Sequence, residues 1–118
     1  MPSKVAIVTG GGGGIGSAVC KAFQRDGTAT AVAELDLDKG RMVADEIASA
    51  GGSSLAVEVD VTSQDSVQSA VQQTVDRFGR IDFLVHCAGN NILGSILDIS
   101  LEQWQSSIDI HLTGAFLC

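Results

Sequence analysis

Short apolar runs alternate along this chain with longer amphipathic segments. Lys4 to Thr9 (KVAIVT) is continuous and rich in β-branched residues, the pattern of a strand buried on both faces. After a glycine run, Ile15, Ala18, Val19, Ala22 and Phe23 recur at the spacing of one helical face, and Gly27 is placed to end that helix. Thr28 to Glu34 (TATAVAE) predicts a second strand. Asp36 to Ala50 predicts a second helix, with Val43, Ile47 and Ala50 inward and Arg41, Asp45 and Glu46 outward. Ser54 to Val59 predicts a third strand. Ser63 to Phe78 predicts a third helix that turns Val67, Ala70, Val71, Val75 and Phe78 to the core, with Thr62 and Asp65 as a relative of the capping box. Ile81 to Cys87 (IDFLVHC) predicts a fourth strand, followed by a loop through Asn90 and Asn91. Ser100 to Gln103 matches the capping box itself and opens a last helix running to Cys118, with Leu101, Trp104, Ile108, Leu112 and Ala115 on one face.

The order β-α-β-α-β-α-β-α implies parallel strands joined by right-handed crossovers. The expectation is one α/β domain over residues 1–118, with helices on both faces of the sheet. The 118 residues are 45% hydrophobic, which suits a globular domain better than a disordered one. A net charge of −7 speaks against a nucleic-acid partner. No apolar run is long enough to predict a membrane span or a signal segment, so the expected location is the cytoplasm. Cys20, Cys87 and Cys118 cannot all pair and sit in apolar segments, as buried thiols in a reducing compartment do. Three scattered cysteines and two histidines make a metal site unexpected.

Between the first strand and the first helix, six of the seven residues from Gly10 to Gly16 are glycine. A strand, a glycine turn and a helix N-terminus form an anion site, where free N–H groups and the helix dipole meet. Glycine also lets a pyrophosphate reach the backbone. The generic G-x-G-x-x-G fits at Gly11, Gly13 and Gly16, a weak match in so rich a run. No Lys-Ser or Lys-Thr pair follows, which disfavours a phosphate-loop NTPase. Glu34 lies 20 positions after Gly14, at the end of the second strand, where a carboxylate accepts hydrogen bonds from both hydroxyls of an adenine ribose. It would repel a 2′-phosphate, and neither Gly13 nor the residues after Glu34 supply a base. NAD is therefore favoured over NADP, with Asp36 as the rival ribose ligand.

Several motifs in the right order make the chain resemble the short-chain dehydrogenase/reductase family over essentially its whole length. Thr9-Gly10-Gly11-Gly12-Gly13-Gly14-Ile15-Gly16 matches the family's T-G-x-x-x-G-x-G cofactor loop, a register that makes Gly10, Gly14 and Gly16 the functional glycines. Asp60-Val61-Thr62 is similar to the family's acidic contact with the adenine amino group. Ala88-Gly89 matches the end of the N-N-A-G motif, and Leu112-Thr113-Gly114-Ala115-Phe116 resembles the segment after the catalytic Asn. The resemblance implies a Rossmann-like, doubly wound sheet of order 3-2-1-4 that stops before the family's last strands. It implies a nicotinamide dinucleotide held by Gly10, Gly13, Gly14, Ile15, Gly16, Glu34, Asp60, Val61, Cys87, Ala88 and Gly89. It also implies a homo-oligomer through the last helix, whose apolar surface is widened by Ile110 and Leu117.

Three departures qualify the resemblance. Cys87 stands in the N-N-A-G motif, which here reads His86-Cys87-Ala88-Gly89. His111 stands where the family has its catalytic Asn. There is no tyrosine, and Lys4, Lys21 and Lys39 all precede the place of the Tyr-x-x-x-Lys lysine. The expectation is therefore the cofactor half of a dehydrogenase that acts on an alcohol or carbonyl, inactive as an isolated 118-residue chain. Two other readings stay open. One is a non-catalytic dinucleotide-binding or self-associating module. The other is a receiver-like domain with Asp60 as phosphoacceptor, for which the glycine run would be superfluous. His86 and Cys87 do not form a nucleophile–base pair, because adjacent strand residues face opposite ways.

Overall fold

The computed structural model describes residues 2–118. Four parallel strands form one sheet of order β3-β2-β1-β4: β1 (Val5–Thr9), β2 (Ala29–Glu34), β3 (Ser54–Glu58) and β4 (Phe83–His86). Ile7 lies opposite Ala31 on one side and Leu84 on the other. The connections carry α1 (Gly14–Arg25), α2 (Leu37–Ser49) and α3 (Gln64–Phe78). After β4 come α4 (Leu101–Ile108), a π-helical turn over Asp109–Thr113, and α5 (Gly114–Leu117).

Side chains alternate across a strand, so neighbours on β1 and β2 enter separate cores. Ile7, Ala31, Ala33 and Val57 pack with Val67 and Ala70 of α3. Val8 and Val32 pack with Cys20 of α1 and Val43, Ala44 and Ile47 of α2. Helices therefore cover both faces, as the alternation of elements predicted. Burial pushes the Cys20 thiol up to about 12 and keeps it protonated.

β4 is shorter than its apolar run predicted. The residue at its N-terminal end, Asp82, is used as an anchor: it accepts the Val5 N–H at 2.8 Å and a two-pronged hydrogen bond from Arg80. The Arg80 guanidinium, with the Val5 amide, holds this carboxyl below the usual carboxylate range.

Three inward faces differ from those the periodicity predicts. On α1 the buried residues are Gly16 and Cys20, whereas Ile15, Ala18 and Ala22 are exposed. Small residues let this helix approach the glycine turn closely, and closeness of approach selects the face. Phe23 is half-buried and stacks on Phe83 with ring centroids 5.6 Å apart. On α3 the buried Thr74 takes the place predicted for Val75, its hydroxyl satisfied by the Ala70 carbonyl at 2.8 Å. Ala50 is the exposed C-cap of α2. The cap of α3 is Ser63, whose side chain accepts the Ser66 N–H, and Thr62 is freed for another use.

The largest difference lies at the last helix. Its capping box forms as predicted, with Ser100 and Gln103 bonded reciprocally. The apolar outer surface expected to include Ile110 and Leu117 does not form as predicted: both pack on the core with Cys118, while Leu101, Trp104 and Leu112 are exposed. A π turn inserts an extra residue into the helical repeat and rotates every later side chain by about 100° relative to an unbroken α-helix. Gly114 is the buried residue that follows, and a Cβ built on it lies 3.0 Å from Val61 Cγ2. The helix thus leans on the loop after β3 through a glycine.

Candidate functional site

In a sheet of this order the chain leaves β1 toward one edge and β4 toward the other. The two loops diverge at the C-terminal ends of the strands and leave a crevice between them. A cleft of about 420 Å³ opens there, lined by Gly10, Gly13, Glu34, Leu35, Val59 to Thr62, Cys87 to Gly89 and Ile110. That volume is in the range of small-molecule sites. Most of the residues singled out in the sequence meet on its walls, although they come from four separate loops.

The glycines divide the work. Gly10 has φ +64°, and a Cβ on it would fall 2.7 Å from the Ala88 nitrogen. It makes the turn and lets β1 and β4 loops touch. Gly13 is the N-cap of α1, without a side-chain cap. The first-turn N–H groups of the helix therefore have no side-chain acceptor from the cap position, as an anion site requires. Gly14, although predicted as a contact, is exposed and does not line the cleft, and a Cβ on it would meet nothing within 4 Å. Gly16 is the reverse: its Cβ would fall on the carbonyl oxygen of Gly10 and 2.9 Å from Gly11 Cα. Gly16 is a packing position, turned away from the cleft. Ile15, although predicted as a contact, does not line the cleft and is 77% exposed.

Glu34 and Asp36 separate in role. Glu34 lines the cleft, and its Oε2 accepts the Asp36 N–H at 2.9 Å. Asp36 caps α2 by accepting the Asp38 N–H and does not line the cleft. Asp60 is fixed by Thr62, which donates both its hydroxyl (2.6 Å) and its N–H (2.9 Å) to Oδ1. Those bonds hold the Asp60 carboxyl below its usual range. Thr62, Leu35 and Ile110 line the cleft without having been predicted as cofactor contacts. The Asp-x-Thr spacing was a readable signal for Thr62; Ile110 was read as part of the outer surface of the last helix.

Cys87 and His86 face opposite sides of the sheet, as adjacent strand residues must. Cys87 packs beside Val8 and Cys20, and His86 bonds Thr9 and Ile110. His111 packs its ring into the space a Cβ on Gly89 would fill. Its Nε2 lies 3.1 Å from the Asn90 carbonyl and 3.3 Å from the Asn90 N–H, so it bonds one or the other according to tautomer. Asn90 in turn donates its amide to Ser106 Oγ at 3.0 Å, while its buried Oδ1 has no partner. His111 therefore braces the loop after β4 rather than standing free. Among the described residues no cluster of His, Cys, Asp and Glu is placed to hold a metal ion, and no helix is long and apolar enough to cross a membrane.

The strand order, the glycine turn at its switch point and the carboxylate at the end of β2 define a Rossmann-like fold. The family model described as short chain dehydrogenase matches residues 4–118. The chain is 34% identical over its whole length to (2S)-[(R)-hydroxy(phenyl)methyl]succinyl-CoA dehydrogenase subunit BbsD of Thauera aromatica, covering 48% of that protein. It is 39% identical to a 3-oxoacyl-[acyl-carrier-protein] reductase of Synechocystis, again covering 48%. A crystal structure of a short-chain type dehydrogenase/reductase from Mycobacterium marinum superposes with a TM-score of 0.92 at 40% identity, over 98% of this chain and 47% of that one. The chain belongs to the short-chain dehydrogenase family, oxidoreductases that bind nicotinamide dinucleotides. It spans about half the length of these relatives and corresponds to the N-terminal half of their fold.

Proposed function

We propose that residues 1–118 form a single NAD-binding domain, the cofactor half of a dehydrogenase that acts on an alcohol or carbonyl. The observation that carries this reading is the shared wall of the cleft: Gly10, Gly13, Glu34, Asp60, Val61 and Cys87 to Gly89 converge on one space. The residues fit the dinucleotide. Beside the cleft, the space at Gly14 is free of protein atoms and leaves room for a pyrophosphate at the helix N-terminus. The remaining Glu34 carboxylate oxygen is available to the adenine ribose, and Asp60 with Val61 to the adenine. Cys87 to Gly89 and Ile110 wall the side toward the nicotinamide. When bound, the nicotinamide supplies the hydride donor or acceptor.

Glu34 also supports NAD over NADP, because a carboxylate at the ribose repels a 2′-phosphate. Glu34→Ala is expected to weaken NADH binding by about 2 kcal/mol, roughly thirtyfold in Kd, and to narrow the gap between NADH and NADPH. Fluorescence titration with both nucleotides measures this. Unchanged NADH affinity in Glu34→Ala, with loss in Asp36→Ala, would assign the ribose to the wrong carboxylate.

With no tyrosine in these 118 residues, no phenol is present to exchange a proton with a substrate oxygen. The isolated chain is therefore expected to bind NADH without turning over alcohols. NAD-dependent oxidation of an alcohol by the pure 118-residue chain, followed at the NADH absorbance, would contradict this. Exposed Leu101, Trp104, Leu112 and Phe116 give the last helix an apolar outer face, which supports homo-oligomers through it. The free thiols support a cytoplasmic location.

A further inference from the structure

His86 links two walls of the cleft. Its Nε2 lies 3.0 Å from the Ile110 carbonyl oxygen, inside the π turn, and its Nδ1 lies 2.8 Å from Thr9 Oγ1. A carbonyl only accepts, so Nε2 carries the proton. In the neutral ring Nδ1 then accepts from the Thr9 hydroxyl. The Thr9 oxygen in turn accepts the Ala88 N–H at 3.3 Å. Donation runs one way, from Ala88 through Thr9 and His86 to Ile110. Thr9 is 1% exposed, so its hydroxyl has no water to replace either partner. Ala88 and Ile110, the two ends of this chain, both line the cleft.

The π turn and the residue after it have three further ties to the same walls, one of them the hydrogen bond between the His111 side chain and the Asn90 backbone. Gly114 rests against Val61, and the His111 ring sits on Gly89. None of the three engages a backbone carbonyl of the turn. Among the described residues, His86 is the side chain of the sheet that holds the turn through a backbone oxygen.

We propose that His86 is a positioning residue. It sets where the π turn of Asp109–Thr113 lies relative to the wall at Ala88 and Gly89, and thereby how well the cleft accepts its ligand. The last step rests on the dinucleotide reading above; the positioning itself does not.

Three measurements on the full chain test this. Long-range ¹⁵N–¹H correlation at neutral pH is expected to show His86 protonated at Nε2; a proton on Nδ1 alone would overturn the proposal. Amide hydrogen exchange then compares His86→Leu with His86→Gln, whose amide has both a donor and an acceptor. In His86→Leu the amides of Ala88 to Asn90 and of the π turn are expected to exchange about tenfold faster together, with the centres of β1 and β2 unchanged. His86→Gln is expected to restore them. Unchanged exchange, or faster exchange over the whole sheet, would overturn the proposal. NADH titration is the third. His86→Leu is expected to bind about tenfold more weakly and His86→Gln within about twofold of wild type. Wild-type affinity in His86→Leu would remove the link to the ligand. If the wild-type chain binds no NADH while the exchange data come out as stated, the dinucleotide reading fails and the positioning role stands.

Discussion

Gly14→Val is expected to remove dinucleotide binding while leaving the fold intact. Nothing in the protein stands within 4 Å of a Cβ at this position, so the branched side chain meets no neighbour. Gly14 is the first residue of α1, where valine is no worse a helix former than glycine, so stability should change by less than ~0.5 kcal/mol. The same open space is where a pyrophosphate would approach the helix N-terminus. Filling it is expected to weaken NADH by about a hundredfold, or ~2.7 kcal/mol. Fluorescence titration and urea denaturation of one variant decide the matter. Tight NADH binding by the folded variant would remove the glycine turn from the site.

Two residues further on the expectation reverses. Gly16→Ala places a methyl group on the carbonyl oxygen of Gly10, with Gly11 Cα 2.9 Å away. These neighbours are backbone and belong to a turn already fixed by Gly10 at φ +64° and by the Gly13 N–H to Gly10 carbonyl bond of 3.0 Å. The turn must move or α1 must lift from the sheet. A cost of about 3 kcal/mol is expected, a large share of the ~5–15 kcal/mol that stabilises a typical domain. Urea denaturation measures it, and an unchanged midpoint would contradict the packing described here. Gly14 and Gly16 look alike in the sequence and should fail in opposite ways, one in binding and one in folding.

That contrast marks the reach of the sequence. The strands and helices were legible because apolar periodicity reports burial, and the parallel order followed from their alternation. Glu34 was legible because its distance from the glycine run follows from the length of a βαβ unit. Faces were less legible. The α1 stripe of Ile15, Ala18 and Ala22 is apolar yet exposed, because the small residues Gly16 and Cys20 set which side could approach the turn. The last helix misled for a different reason. Trp104 and Leu112 of its apolar stripe are exposed, and Trp104 precedes the π turn over Asp109–Thr113, whereas Ile110 within that turn and Leu117 after it pack on the core. No composition signal announces such a turn. Its ties to His86 and Val61 are tertiary, and only the folded chain brings those residues together.

The most direct test is an amide-resolved NADH titration of the wild-type chain by ¹H–¹⁵N correlation. The account predicts saturable shifts confined to the Gly10–Gly16 turn, Glu34 and Leu35, Asp60 to Thr62, Cys87 to Gly89 and the turn around Ile110. A spectrum unmoved by NADH, or shifts gathered at the opposite ends of the strands around Thr28, Ser53 and Phe78, would contradict it.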